Sequence, residues 1–321
     1  MSIPHAAAAA LTLVFVGVAF AQAPPGAGYP TKPIRLVSSS VGSGTDSATR
    51  MVVPGMTVSL GQQIIIDNRP GGIMQGEIVR KAQADGYTLL SVGNAFVLGP
   101  LLTPTPYDPV RDFAPISILA RYPNVVIVHP TVAANTIKEL IALAKAKPGG
   151  LNYASGPVGA SNHLAAELFK SMAGVNIVRV AYKGGGPALN DVIAGQVPLV
   201  FASTGSVMSL LKSGRLKALA VTSAQPSDLV PGVPTVAAAG LPGYESVSIG
   251  LLMAPLRTPA AIIRRVNQAL GYALGQPDVK EKLMSIGVEA VSSSPQALTV
   301  AMREDVARVG KLIKDTGMKA E

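Results

Sequence analysis

The stretch Ile34-Arg35-Leu36-Val37-Ser38-Ser39-Ser40-Val41-Gly42-Ser43-Gly44-Thr45-Asp46 decides how the rest of the chain is read. A short, largely apolar strand runs into hydroxyls and glycines, and a helical pattern follows Asp46. Strand, small-residue turn and helix make one step of a βαβ unit, a design that binds ligands at the C-terminal ends of its strands. The same order recurs where Asn152-Tyr153-Ala154-Ser155 meets Gly156-Pro157-Val158-Gly159-Ala160-Ser161-Asn162-His163. It recurs again where Ala181-Tyr182 meets Lys183-Gly184-Gly185-Gly186-Pro187, and where Phe201-Ala202 meets Ser203-Thr204-Gly205-Ser206. Gly and Ser make turns in any protein, so one such loop carries little. Four of them after four strands predict a site. Small side chains admit a ligand to backbone N–H groups, and the helix dipole there favours negative charge.

Outward from these loops, short β-rich runs alternate with amphipathic segments, which predicts an α/β fold with a mostly parallel sheet. Further strands are expected at Gln63–Asp67, Tyr87–Val92, Ile116–Ala120, Val125–His129, Ala218–Thr222 and Ser248–Ala254. Thr136-Ile137-Lys138-Glu139 reads as a capping box, and Thr258-Pro259 and Ser294-Pro295 read as cap-plus-proline helix starts. Gly174, Gly195 and Gly214 are expected to close helices. Pro54 predicts a kink or break near Val53 in the helix after Asp46.

At the N-terminus, Ala6 to Phe20 is an uncharged apolar and small-residue run, followed by Ala21-Gln22-Ala23-Pro24-Pro25. It is short for a bilayer span and has small residues at the spacing a signal peptidase reads, so residues 1–23 are expected to be a cleaved signal peptide and the mature chain periplasmic. His5 stands where a signal peptide ordinarily carries Lys or Arg. The chain has 321 residues, of which 48% are hydrophobic, enough for one or two well-packed domains. Cysteine is absent, which excludes thiol chemistry and thiolate metal sites. The formal charge of +9 steers anions towards the protein. Nucleic acid is not the expected anion, because the cations are scattered, Trp is absent and no basic stripe alternates with stacking residues.

Catalytic machinery is not apparent. Gly42-x-Gly44 is an incomplete dinucleotide fingerprint, no Walker lysine follows a glycine loop, and there is no G-x-S-x-G elbow. His163 and Glu167 share a helix face at i, i+4, where a structural histidine is expected rather than a metal ligand or base. His129 reads as a strand terminus. No catalytic residue, metal site or cofactor is therefore expected.

Several segments carry a family resemblance: Tyr29-Pro30-Thr31-Lys32-Pro33-Ile34-Arg35-Leu36, Asp67-Asn68-Arg69-Pro70-Gly71-Gly72, Ala84-Asp85-Gly86-Tyr87-Thr88-Leu89-Leu90 and Tyr107-Asp108-Pro109-Val110-Arg111-Asp112-Phe113-Ala114-Pro115. Leu164 to Lys170, Tyr182-Lys183-Gly184, Pro234-Thr235-Val236-Ala237 and Ala239 to Tyr244 continue it. In their order and spacing these resemble the TctC or Bug substrate-binding proteins of tripartite tricarboxylate transporters, over essentially the whole mature length.

The resemblance implies a type II periplasmic-binding-protein fold: two Rossmann-like lobes, residues 29–129 with 248–321 and residues 130–247, around a ligand cleft. It implies a monomeric solute-binding protein that takes a small carboxylate, either a di- or tricarboxylate or an aromatic acid. Its partner would be a membrane permease pair, or a sensor kinase in a sensing role. Carried over from the family, the ligand carboxylate meets Ser39, Ser40, Gly42, Gly44, Thr45 and Asp46 on the first loop and Ser155, Gly156, Gly159, Ala160 and Ser161 on the second. The other end of the ligand meets Lys183, Gly184 and Gly185, or Ala202, Ser203 and Thr204. The chain departs from the family in lacking prolines in the first loop and in having Ala202 where an Asp is common. The second departure disfavours a ligand amine.

Overall fold

The computed structural model describes residues 28–69 and 72–319; the expected signal segment lies outside them. The first half runs β1 (Ile34–Ser38), α1 (Gly44–Leu60), β2 (Ile64–Asn68), α2 (Gly72–Arg80), β3 (Thr88–Gly93), α3 (Asn94–Leu98), β4 (Phe113–Val128) and α4 (Ile137–Ala146). There follow β5 (Asn152–Ser155), α5 (Ser161–Ala173), β6 (Val178–Ala181), α6 (Gly185–Ile193), β7 (Leu199–Ser203), α7 (Thr204–Lys212), β8 (Lys217–Val221) and α8 (Val236–Ala239). The chain closes with β9 (Val247–Pro255), α9 (Ala260–Gly275), α10 (Pro277–Ser285), β10 (Glu289–Ala290) and α11 (Pro295–Thr316).

The strands lie in the order β2-β1-β3-β9-β4-β7-β5-β6, with β8 and β10 also on β4. The expectation of a mostly parallel sheet holds only for the outer strands. β1 pairs parallel with β2 and β3, and β5 with β6 and β7, while β9 and β4 run antiparallel through the middle. The two strands expected at Ile116–Ala120 and Val125–His129 are one. β4 pairs with β9 from Phe113 to Pro123, then from Asn124 onward with β7 and β8. Pro123, which suggests a break in sequence, sits where the strand exchanges partners, and Pro115 sits beside a shift of register; a missing N–H costs least at such places.

Successive β1 side chains are buried on opposite faces, as expected of strands covered by helices on both sides. Leu36 packs with Val52, Met56 and Leu270 from α1 and α9, while Val37 packs with Leu90, Phe113 and Met302. A second pair of cores covers the other half of the sheet, one around Tyr153, Phe169 and Phe201 and one around Ile127, Val200 and Val207. Each fully buried large side chain contributes about 1.5–3 kcal/mol. A smaller cluster joins Leu98, Leu164 and Val309, which brings α11 against α3 and α5.

Local signals mostly hold. Thr136 Oγ1 accepts from Glu139 N–H at 3.1 Å, although the Glu139 carboxylate returns to Asn135 N–H at 2.7 Å rather than to the cap residue. Ser294 caps α11 as expected, with Pro295 in its first turn. Thr258 does not cap α9: its hydroxyl donates back to Pro255 O at 2.8 Å, and the helix begins from Pro259. α1 is not broken at Pro54 but continues to Leu60. Pro54 lies on the exposed face, where water can satisfy the Arg50 carbonyl that its ring leaves unpaired.

Candidate functional site

The first loop is braced from within. Ser43 caps α1 by accepting from Asp46 N–H at 3.2 Å. The Asp46 side chain, 1% exposed, turns away from solvent and accepts from Gly42 N–H at 3.0 Å, Arg50 Nε at 2.9 Å and Asn68 Nδ2 at 2.6 Å. Asn68 Nδ2 also donates to Ser39 O at 2.6 Å, tying β2 to the loop. Burial alone would raise the Asp46 carboxyl; the Arg50, Asn68 and Gly42 donors outweigh it and hold the group below the usual carboxylate range. This brace sets the shape of a loop that has no proline.

The second loop is held the same way. Arg179 on β6 donates from Nε to Ser155 Oγ at 2.9 Å and from Nη2 to Gly156 O at 2.8 Å. Asn162 Oδ1 and His163 Nδ1, in the first turn of α5, accept from Gly156 N–H and Gly159 N–H, each at 3.3 Å. Gly159 has φ +80°, a conformation that side-chain-bearing residues rarely adopt, and this turns its backbone towards the cleft. His163 thus helps to brace the second loop.

With the loops fixed, the helix starts carry the chemistry. α5, α6 and α7 begin at Ala160, Gly184 and Ser203 without a side-chain cap, so their leading N–H groups have no local acceptor. Ala160, Ser161 and Ser203 line a cavity of about 350 Å³, facing Gly44 and Thr45 at the start of α1. They also line a neighbouring cavity of about 320 Å³, whose other walls include Gly184, Gly185, Asn124 and Asn162. Uncapped helix starts around a concave space suit an anion.

Of the residues expected from sequence, Gly44, Thr45, Gly159, Ala160, Ser161 and Ser203 line the larger cavity, and Gly156, Gly184, Gly185 and Ala202 line the smaller. The others line neither. Asp46 and Ser155 are buried braces, and Thr204, fully buried, donates to Pro123 O at 2.7 Å. Ser39, Ser40 and Gly42 shape the first loop, with Ser40 O accepting from Ser43 N–H at 3.1 Å, and Lys183 is exposed.

Sequence reasoning missed Tyr122, Asn94, Ser246, Ser248, Asp305 and Arg308, all of which line the larger cavity. Tyr122 is legible only once β4 is known to cross the middle of the sheet. Its hydroxyl approaches Gly44 O at 3.4 Å, and burial raises it so that it stays a neutral donor. Asp305 and Arg308 come from α11, where an i, i+3 ion pair reads as an ordinary helix face. Asp305 is 7% exposed and accepts from Asn94 Nδ2 at 2.8 Å and from Arg308. Burial raises its carboxyl above the ordinary range despite Arg308 and Asn94.

Among the described residues, no group of three or more acidic or His side chains could hold a metal ion, and no helix is long and apolar enough to cross a membrane.

Several known proteins are similar to this chain. Protein BugT of Bordetella pertussis is 32% identical over 313 residues, covering 95% of this chain and 96% of its own length. A solved R. palustris protein with adipate is 34% identical, with a TM-score of 0.74 over 91% of this chain and 99% of its own. MatC from Rhodopseudomonas palustris with bound malate is 26% identical, with a TM-score of 0.70 over 89% of this chain and 100% of its own. The model of the tripartite tricarboxylate transporter family receptor matches residues 48–318, and the chain belongs to that family.

Proposed function

We propose that this protein is a periplasmic solute-binding protein that captures a small carboxylate and delivers it to a tripartite tricarboxylate-type membrane permease, without catalysing a reaction. The observation that carries this reading is the convergence of the uncapped starts of α5 and α7 with the start of α1 on one cavity. Backbone donors on a helix dipole favour an anion and supply no nucleophile or base. The adipate and malate complexes of the two R. palustris neighbours support a carboxylate as that anion. The N-terminal apolar run and its small-residue boundary support export.

The ligand would sit between two lobes, residues 29–129 with 248–321 and residues 130–247; β4, which exchanges β9 for β7 at Pro123–Asn124, runs towards the change between them. Calorimetry with a panel of small mono-, di- and tricarboxylates tests the reading, followed by mass analysis of the recovered ligand. Saturable binding of a carboxylate that is recovered unchanged is expected; turnover, or no binding across the panel, overturns it.

A further inference from the structure

Among the described residues, Asp305 and Arg308 are the only charged ones lining the larger cavity. They stand on α11, beside Val309 and Leu312, which are buried, and Val309 packs against Leu98 and Leu164. The backbone that carries them is therefore fixed. The two side chains are not equivalent. Both carboxylate oxygens of Asp305 are engaged, Oδ2 by Asn94 Nδ2 at 2.8 Å and Oδ1 by Arg308. With 7% of the residue exposed, Asp305 has little capacity left for a ligand. The Arg308 side chain keeps 35% of its surface, and among the described residues only its Nη2 has a protein acceptor. A guanidinium carries five N–H donors, so most of them are left for a ligand in the cavity that Arg308 lines. Asn94 and Asp305 hold this group in place, and what it lacks is an acceptor.

We infer that Arg308 is a specificity-determining residue: it binds a second anionic group on the ligand, with Asp305 and Asn94 as its positioning residues, while the helix starts hold the first carboxylate. This rests on the carboxylate-binding function proposed above and adds to it the residue that separates diacids from monoacids. Arginine suits the task because its planar donors match a carboxylate and stay charged at every relevant pH. An ammonium-bearing ligand end is disfavoured at this position, because it would face the guanidinium and find Asp305 already occupied.

The test uses the mature protein, Arg308→Gln and Arg308→Met, with folding checked by circular dichroism. Calorimetry compares adipate with hexanoate and succinate with butanoate, pairs that differ in whether the far end is charged. The wild type is expected to prefer each diacid by at least tenfold. Each variant is expected to lose that preference while holding the monoacids within about threefold of wild type; two variants of different polarity keep the test alive if one misfolds. A wild type that does not prefer diacids, or a preference that survives both substitutions, overturns the role of Arg308 and leaves the anion cradle standing. If no member of either series binds the wild type, the cradle itself falls, and the role of Arg308 falls with it.

Discussion

Gly205, at the start of α7, and Gly287, in the turn before β10, meet backbone to backbone: a Cβ built on Gly287 would lie 2.0 Å from Gly205 N, and one on Gly205 would lie 2.2 Å from Ile286 O. No flexible side chain lies between them to give way. Gly205→Ala is therefore expected to destabilise the protein by about 1–3 kcal/mol, the range for overpacking a tight contact. Gly287→Ala should cost at least as much, because its φ of +73° adds backbone strain. Gly271→Ala, in α9 with nothing within 4 Å of the new Cβ, should instead gain about 0.5–1 kcal/mol from helix propensity. Urea unfolding of the three variants checks the order; equal midpoints for Gly205→Ala and Gly271→Ala would refute it.

The Asp46 brace should appear in the pH dependence of stability. Its carboxyl is held below the unfolded value, so the stabilisation it provides is complete above the unfolded pKa of about 3.9 and is lost as pH falls through the lower, folded value. Asp46→Asn keeps the shape and removes the charge, and is expected to cost about 2 kcal/mol at pH 7 with a flatter profile below pH ~4. Thermal melts from pH 7 to pH 2.5 measure both; a variant whose acid profile overlays the wild type would show that Asp46 does not carry this dependence.

Binding should depend more on the cradle's backbone than on the nearest cations outside it. Gly44→Asp and Gly159→Asp each place a negative charge against helix-start N–H groups, and each is expected to weaken adipate binding by more than a hundredfold. Arg50→Gln and Lys183→Gln should each cost less than about 1.5 kcal/mol, roughly tenfold, since Arg50 spends its guanidinium on Asp46 and Asn68 and Lys183 lines neither cavity. Calorimetry on folded variants decides; the opposite ranking would point to a simple ion-pair mechanism.

Pro54 is tolerated within α1 but donates no hydrogen bond. Pro54→Ala restores a donor towards the Arg50 carbonyl on an exposed face and is expected to raise stability by about 1–3 kcal/mol. A lowered melting temperature would mean that the ring makes packing contacts worth more than the bond.

Much of the fold was legible because its signals are local. Strands such as Asn152–Ser155 stand between turn residues, and caps such as Thr136 and Ser294 announce themselves. Continuity through Pro54 and Pro123 was not legible, since whether a proline breaks an element depends on which face or which ladder its missing N–H belongs to. The helix starts of the site could be read from glycine and serine runs. The inward turn of Asp46, Ser155 and Thr204 could not, because a pattern of residue types does not say which way a side chain points. Asp305 reaches Asn94 across a separation of 211 residues, a distance over which one chain's pattern carries no signal.

The shared strand β4 also bears on the order of assembly. Every strand that β5, β6, β7 and β8 pair with lies between Asn124 and Val221, so that apart from one bridge from Val221 to Thr235 the ladders of that half can close as soon as the chain through Val221 is free. The half containing β1, β2 and β3 begins earlier in the chain but finishes later. One edge of β3 and the first part of β4 stay open until Val247–Pro255 arrives to pair with both. Bringing β9 to β3 closes a long loop, which costs entropy before the contact repays it and slows this step relative to local pairing. A chain emerging N-terminus first would thus carry its earliest strands unpaired at one edge for longest, and the edge exposed in that interval, Leu90 to Gly93, is where aggregation would begin.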